Sequence, residues 1–267
     1  MTEQTVIDLN FIDLALVYGL ILLTAGLARL TRIGQERDLL QASLRMVVQL
    51  LLVGYILHAV FALREAWSVL LILAVMLGFS VQVIGQRVKN RMPRFYRVTA
   101  LALSVGCGGA TFFFCILVVA PDPWFDPRYL IPLAGMIIGN SMNGAALAAE
   151  RMASEMQERR LEIETSLCLG ASSRTAAREV VRSAYRAALI PVTNTMSAMG
   201  LVFLPGMMTG QILSGTEPVL AVKYQIAIMC AISGAVAVSA FLIVFLGFRG
   251  YFTQAHQLRR LDENAKP

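Results

Sequence analysis

The stretch from Leu161 to Gln225 decides how the chain is interpreted, and it reads LEIETSLCLGASSRTAAREVVRSAYRAALIPVTNTMSAMGLVFLPGMMTGQILSGTEPVLAVKYQ. Its first part is charged and typical of a helix, with one break at Gly170. The remainder is apolar but contains Pro191, Pro205 and several embedded polar side chains. A soluble helix does not need the second part, and an inert membrane anchor does not need the first. A charged helical segment followed by an apolar segment with embedded polar residues predicts a membrane transport subunit with a helical docking element for a soluble motor.

Composition places the whole chain in a membrane. Of its 267 residues 57% are hydrophobic and 15% are charged, whereas globular domains carry about 25% charged residues. Several apolar runs are long enough to cross roughly 30 Å of hydrocarbon. The net charge of +6 is accounted for by basic residues that flank membrane helices, so we expect no nucleic-acid partner. The four cysteines lack metal-ligand spacing, and we expect no removable signal peptide.

Seven apolar runs predict an all-α integral membrane protein with about seven transmembrane helices in a single permease domain, residues 1–267. Glu3 and Asp8 precede the first run, while five basic residues fall between Arg87 and Arg97, after the third. The positive-inside rule therefore places the N-terminus outside and the C-terminus in the cytoplasm of a bacterial inner membrane. The predicted spans are 11–28, 39–62, 67–86, 98–120, 129–149, 187–213 and 219–248.

A long polar interval, residues 150–186, separates the fifth and sixth runs. It holds seven arginines and six glutamates and has no run that could cross a bilayer, so we expect it in the cytoplasm. An unbroken helix of this length would extend about 55 Å. The sequence instead predicts an interruption at Gly170 and a new helix capped by Ser172. Glu155 and Arg159 have the spacing of a favourable ion pair one turn apart.

Motifs for enzyme chemistry are absent from the sequence. It has no GxxxxGK[ST] phosphate-binding loop, no HExxH and no GxSxG. His58 and His256 cannot form a usual zinc site without other ligands. We therefore expect no enzyme activity and no cofactor in this chain, and a pump built on it needs energy from a partner.

Short blocks in the second half of the chain resemble one family of permeases, the FetB/YbbM family of ABC transporter permeases. The similarity covers nearly the whole chain and is strongest from Ile131 to Ile226. The blocks are Gly135–Met142, Leu169–Ser172, Arg186–Pro191, Leu204–Gly210 and Lys223–Ile226.

The resemblance implies a membrane subunit that pairs with a separate ABC ATPase, which would hold ATP and Mg²⁺. Bacterial members of the family are associated with iron export and iron homeostasis, and plant relatives with aluminium tolerance. In such permeases a short cytoplasmic helix beside an LGAS-type turn inserts into a groove on the ATPase. The residues assigned to ATPase coupling on this basis are Glu162, Glu164, Leu167, Leu169, Gly170, Ala171, Ser172 and Arg174.

The number of coupling loops also implies the oligomeric state of the permease. ABC transporters work with two ATPase sites and this chain has one such loop, so we expect a homodimer of permeases in the lipid bilayer. The Leu-Pro ending of the family's loop is not at its usual spacing, although Ile190-Pro191 lies further on. A plain surface connector with a glycine break remains the alternative interpretation of the loop.

Polar residues inside the predicted spans define a candidate translocation route. Unpaired polar groups that face lipid are costly, so the amides, together with Thr195 and Ser197, should point into the bundle. Pro205 and Gly206 should interrupt the sixth span, as a kinked helix or a re-entrant turn. The methionines offer soft thioether ligands, but they also suit adaptable helix packing. The candidates are Asn140, Met142, Asn143, Asn194, Met196, Pro205, Gly206, Met207, Met208 and Gln211, with no metal site assigned.

Two other functional classes account for parts of the sequence. A secondary transporter or channel would work without an ATPase, but it would favour inverted repeats and buried ionisable residues, which the sequence does not show. A non-transporting scaffold would use the charged interval only to recruit a cytoplasmic partner. The resemblance favours the ABC permease, exporting iron or another metal species.

Overall fold

The fold is a succession of helices. The computed structural model describes residues 10–259 except 33, 35, 64, 89 and 90, and only the backbone of residues 11, 62 and 63. Within this part of the chain the only strand-like pairings are two isolated bridges, so the all-α prediction is confirmed. The helices are α1 (Phe11–Leu30), α2 (Glu36–Leu63), α3 (Ala66–Arg87), α4 (Phe95–Phe112), α5 (Pro127–Glu158), α6 (Arg160–Cys168), α7 (Ser173–Ala176), α8 (Arg178–Ala198), α9 (Gly206–Leu213) and α10 (Pro218–Gly247).

Six of the described helices are long and apolar enough to cross a membrane, which confirms a multi-pass membrane protein. They are α1, α2, α3, α4 with its π-helical continuation Phe113–Val119, α5 and α10. Helix α8 is not one of them, since Arg178, Arg182 and Arg186 lie in its first half. The predicted locations of the two termini involve residues 1–9 and 260–267, which lie outside the described residues.

The predicted sixth span, 187–213, is divided between two helices in the structure. Helix α8 already begins at Arg178 and ends at Ala198. The chain then turns at Gly200, whose φ of 81° favours glycine, and Pro205 in an extended conformation precedes α9. The interruption expected at Pro205 and Gly206 exists, but it starts six residues earlier, and it is a turn between two helices rather than a kink.

The charged interval, residues 150–186, contains the predicted helix break, but its first residues belong to a longer α5 than the sequence predicts. Helix α5 continues to Glu158, beyond the predicted end of the fifth span at Ala149. The predicted break at Gly170 is confirmed by its φ of 90°. The predicted cap is also confirmed, because the Ser172 hydroxyl accepts a hydrogen bond from the backbone N–H of Thr175 at 3.3 Å.

Close helix packing produces the core, in which α5 and α10 contact each other and α3, α4 and α8 surround them. A Cβ atom at Gly106 of α4 would lie 2.9 Å from the backbone nitrogen of Ser239 on α10. Helices α4 and α10 therefore approach each other closely at Gly106. At Gly108 and Gly109 a Cβ atom would have no neighbour within 4 Å.

Helices α1 and α2 form a hairpin that is attached to this core at one end. Only 6% of the apolar window of each helix is buried, against 56% for α5. The hydroxyls of Tyr18 and Ser43 join the two helices at 2.9 Å. Near the C-terminal end of α2, Leu57 and Val60 pack against the core. The rest of α2 therefore stands beside the bundle without being packed into it.

We predict that Gly106→Ala destabilises the protein, whereas Gly108→Ala does not. The added methyl at position 106 meets backbone atoms of α10 that cannot rotate away, which should cost about 1–3 kcal/mol. The same methyl at position 108 enters open space. Thermal unfolding of the detergent-purified variants measures the difference, and equal midpoints would contradict the packing.

Candidate functional site

Two exposed apolar side chains flank α6, Leu161 at its start and Leu169 at the turn that leads to α7. Leu161 is 78% exposed and Leu169 is 83% exposed. The turn between them and α7 is closed by backbone hydrogen bonds, such as that from the N–H of Gly170 to the carbonyl of Leu167 at 3.0 Å. Such a surface suits contact with another protein. Of the predicted coupling residues, Glu162, Leu169, Gly170, Ser172 and Arg174 are exposed, and Glu164, Leu167 and Ala171 are half-buried.

Ion pairs fix the start of α6. Arg159 pairs with Glu162 at 2.7 Å, and Arg160 pairs with Glu164 at 2.7 Å. The two hydrogen bonds from the Arg159 guanidinium hold the pKa of the Glu162 carboxyl below its usual value and raise the pKa of Arg159. The predicted pair between Glu155 and Arg159 is wrong, because α5 ends at Glu158 and the Arg159 side chain turns forward to α6.

The segment after α10 holds α7 in place. The Ser173 hydroxyl lies 2.6 Å from Nδ1 of His256, although the two residues are 83 positions apart. The guanidinium of Arg174 lies 5.8 Å from the centre of the Phe245 ring, and that of Arg249 lies 5.5 Å from the same ring. The bend is therefore attached to the end of α10 as well as to α8, which follows it directly. His256 has no sequence neighbour that would indicate this role.

Helix α8 is amphipathic, and its two faces have different surroundings. Val180, Ala184, Ala188 and Val192 are buried where α8 packs against α5 and α10. The opposite face is polar along most of its length and remains uncovered in the single chain. Its exposed residues are Glu179, Arg182, Arg186, Ile190, Thr193, Asn194 and Ser197.

Two asparagines of α5 extend this polar face. Helices α5 and α8 run antiparallel, with Gly144 against the carbonyl of Ala188. An equal rise along the two helices places Asn140 within about one turn of Asn194. Asn140 and Asn143 are exposed, and the Asn140 amide donates to a carbonyl of its own helix at 2.8 Å. We call the exposed residues Asn140, Asn143, Thr193, Asn194 and Ser197 the α5–α8 polar face.

The location of this face corrects one expectation. The amides were expected to point into the bundle, but in the single chain they lie on its surface, because packing uses the apolar side of α8. Ser197 is also exposed, whereas Thr195 is half-buried. Both hydroxyls donate to carbonyls of their own helix, at 3.0 and 2.9 Å. Asn140 and Asn194 therefore lie at a similar depth, and all three candidate asparagines are exposed on the surface of the single chain.

A buried carboxylate lies at the cytoplasmic end of the same two helices, on the predicted topology. Glu155 of α5 is 5% exposed and accepts a hydrogen bond from the Ser183 hydroxyl of α8 at 2.5 Å. The Arg151 guanidinium lies 2.6 Å from the same carboxylate oxygen. The second oxygen of Glu155 is buried and has no hydrogen-bond partner in the described part of the chain. Sequence reasoning missed this contact because Glu155 and Ser183 are far apart along the chain.

The candidate methionines and the turn between α8 and α9 do not form a single site with the α5–α8 polar face. Met142 and Met207 pack against the core, and Met196 is exposed. Gln211 of α9 has a buried amide oxygen without a partner among the described residues. The structure, over the residues that it describes, contains no group of three His, Cys, Asp or Glu that could hold a metal ion. Pro205 and Met208 are half-buried, and Gly206 is exposed.

Comparison with known proteins identifies relatives over nearly the full length. The model of UPF0014, described as an uncharacterised protein family, matches residues 11–252. UPF0014 membrane protein slr1647 of Synechocystis sp. is 40% identical over 96% of this chain and 99% of its own. The probable iron export permease protein FetB of Escherichia coli is 30% identical over 92% and 93%. Protein ALUMINUM SENSITIVE 3 of Arabidopsis thaliana is 31% identical over 90% and 86%. No solved structure matches the chain.

The six long apolar helices define a multi-pass helical membrane protein. The chain belongs to the UPF0014 family. The resemblance to the FetB permeases that the sequence indicated is confirmed by the similarity to FetB of Escherichia coli.

We predict that Ser183→Ala lowers stability more than Ser154→Ala. The first change removes a hydrogen bond to a buried carboxylate, which is worth about 1.5–3 kcal/mol. Ser154 hydrogen-bonds Glu158 at the exposed surface, where the loss should be small. Thermal unfolding in detergent compares the two variants. An unfolding midpoint of Ser154→Ala as low as that of Ser183→Ala would show that the buried hydrogen bond contributes no more to stability than the exposed one.

Proposed function

We propose that this protein is the membrane permease subunit of an ABC transporter that exports iron or another metal species. The observation that carries the proposal is the α5–α8 polar face, which is exposed in the single chain of a multi-pass membrane protein. Hydrocarbon cannot satisfy amides and hydroxyls, so this face has to meet water or protein. The name of the Escherichia coli relative supports iron as the cargo.

In the proposed assembly, a second copy of the chain covers the α5–α8 polar face. A twofold axis places the same surface of each subunit opposite itself. With the polar face of each copy towards the axis, the amides line a route between the subunits and the apolar helices face lipid. The resulting homodimer in the cell inner membrane has two docking bends, one for each ATPase.

The groups on the face suit a cargo that keeps its own ligands. Asn140, Asn143 and Asn194 offer neutral amides, which donate and accept hydrogen bonds. They are weaker metal ligands than thiolate, imidazole or carboxylate groups. A hydrated or ligand-bound metal species can pass along such a surface through hydrogen bonds, without exchange of its inner ligands.

The bend supplies the connection to ATP hydrolysis, which takes place with Mg²⁺ on the partner subunit. Leu161 and Leu169 enter a groove on the ATPase, and closure of the ATPases displaces the bend. Helix α7 leads directly into α8, and the contact between Ser173 and His256 joins it to the end of α10. The displacement therefore reaches α8 and the membrane span α10, and it changes which side of the membrane the route faces.

We predict that Leu169→Asp releases the ATPase while leaving the membrane helices folded. The new carboxylate would be desolvated in an apolar groove, and Leu169 makes few contacts within its own chain. The control is Ala255→Asp, because Ala255 is exposed in the segment after α10 and lies outside the predicted spans. Co-purification of the ATPase with the tagged permease is the measurement. Full retention of the ATPase by Leu169→Asp would show that the docking assignment is wrong.

We predict that Asn194→Ala reduces ATP-dependent metal export several-fold without loss of stability. The change removes an exposed amide from the α5–α8 polar face. Its control is Ile226→Ala on α10, where the side chain is 60% exposed and apolar. Flux of iron in proteoliposomes that contain the complex is the measurement. Export driven by an ion gradient without ATP would instead favour a secondary transporter, and ATPase recruitment without flux would favour a scaffold.

A further inference from the structure

We propose that a groove between α4 and α10 binds one acyl chain of an anionic phospholipid, and that Lys223 binds the headgroup of the same lipid. The proposed transport mechanism assigns no role to this groove. The lipid site requires neither the cargo nor the ATPase, so it stands or falls separately from the proposed function.

The groove lies beside the closest contact between α4 and α10. At that contact a Cβ atom on Gly106 would lie 2.9 Å from the backbone nitrogen of Ser239. At Gly109 of α4 and at Gly234 of α10, a Cβ atom would have no neighbour within 4 Å. The space left between the two helices has a volume of about 490 Å³, which is in the range of sites that bind small organic ligands.

The described residues that line the groove are all apolar: each is Val, Gly, Ala, Phe or Cys. Val105 and Phe113 on one wall are 50% and 58% exposed, and Val238 on the other is 44% exposed, so the groove is open at the surface of the single chain. Both walls belong to membrane spans. Within the hydrocarbon layer, therefore, an apolar chain or another apolar helix has to fill the groove.

The length of the groove matches one acyl chain. On one wall it extends from Val105 to Val118, which is about 20 Å of helix. On the other wall it extends from Ala227 to Val238, which is about 16 Å. One leaflet contributes about 15 Å, half of the hydrocarbon thickness. The groove therefore accommodates a chain from one leaflet.

Lys223 lies beyond one end of the groove, on the same face of α10. It precedes Ala227 by four residues and Gly234 by eleven, and these intervals keep residues on one side of a helix. Lys223 is exposed and forms no ion pair or hydrogen bond within the described part of the chain. Glu217, the nearest acidic residue in the sequence, precedes it by six residues and lies on a different side.

The depth of Lys223 places its ammonium group among lipid headgroups. Helix α10 has 30 residues and is about 45 Å long, which exceeds the hydrocarbon thickness by about 15 Å. When the helix is centred in the membrane, the hydrocarbon begins about 7.5 Å from Pro218, at the level of Lys223. The lysine side chain can extend from there to the headgroups. On the predicted topology this end of α10 is outside, so the positive-inside rule does not account for the charge.

An anionic phospholipid is the occupant that satisfies both the groove and the lysine. An uncharged lipid would fill the groove but leave Lys223 without a counter-charge. A second copy of the chain, related by a twofold axis through this face, would place groove against groove and fill neither. The phosphate of an anionic lipid meets Lys223 while one of its chains enters the groove.

Native mass spectrometry of the full-length, delipidated protein tests the headgroup contact. The protein is titrated with phosphatidylglycerol or with phosphatidylcholine that has the same acyl chains. Phosphatidylglycerol should bind about five times more tightly, which is the effect of one lysine near an anionic lipid. Lys223→Gln should abolish this preference, and Lys223→Arg should keep it. The control Arg128→Gln should also keep it, because Arg128 lies on the same predicted side but does not line the groove.

Gly234→Leu tests the groove. Its side chain enters open space between the helices, so the variant should bind both lipids several-fold more weakly. The control is Gly78→Leu on α3, where the glycine is also exposed and also has no neighbour within 4 Å of an added Cβ atom. Gly78→Leu should bind both lipids as the unchanged protein does. Thermal unfolding without added lipid establishes that both variants are folded.

Three results would overturn the site. Equal affinity of the unchanged protein for the two lipids, or a preference that survives Lys223→Gln, would show that Lys223 does not bind the headgroup. Unchanged binding by folded Gly234→Leu would show that the lipids are ordinary boundary lipids. An oxidative disulfide between two copies through Cys230, which lines the groove and is exposed, would show that a second copy covers it instead.

Discussion

Hydrocarbon offers no hydrogen bonds, and the structure depends on how α8 meets this constraint. Its apolar face, with Ala184 and Ala188 at the centre, is used entirely in packing against α5 and α10. Its other face therefore carries Thr193 and Asn194 to the surface of the chain. No rotation of α8 would bury both faces within one chain. The single chain is thus an incomplete unit in a membrane, and what completes it must be polar or aqueous.

The remaining helices divide into a tightly packed core and a peripheral hairpin. Gly106 and Gly144 let α10 approach α4 and α5 so closely that a single methyl group would collide. Backbone contact of this kind resists sliding, so the core responds to a force as one body. The α1–α2 hairpin has a single zone of attachment, around Leu57 and Val60. A relative movement between core and hairpin therefore disturbs few contacts.

Local signals in the sequence were sufficient for some of these features. Apolar runs fix the membrane spans, and Gly170 with Ser172 fixes the bend, because glycine at positive φ and a serine cap act within a few residues. The first turns of α8 lie before the predicted sixth span, because their charges exclude them from a hydropathy window. The contacts of Glu155 with Ser183 and of Ser173 with His256 join distant positions. No local pattern specifies such pairs. No local pattern specifies that the asparagines are exposed either, because their exposure depends on which face of α8 packs against the core.

The contact between Ser173 and His256 also limits how a docking motion can spread. If α7 were joined only to α8, a displaced bend could swing α8 away from α10 and open the core. The attachment of α7 to the segment after α10, together with the two arginines that share the Phe245 ring, holds both helices to the bend. On the proposed mechanism α8 and α10 therefore move together, and the packed core stays closed.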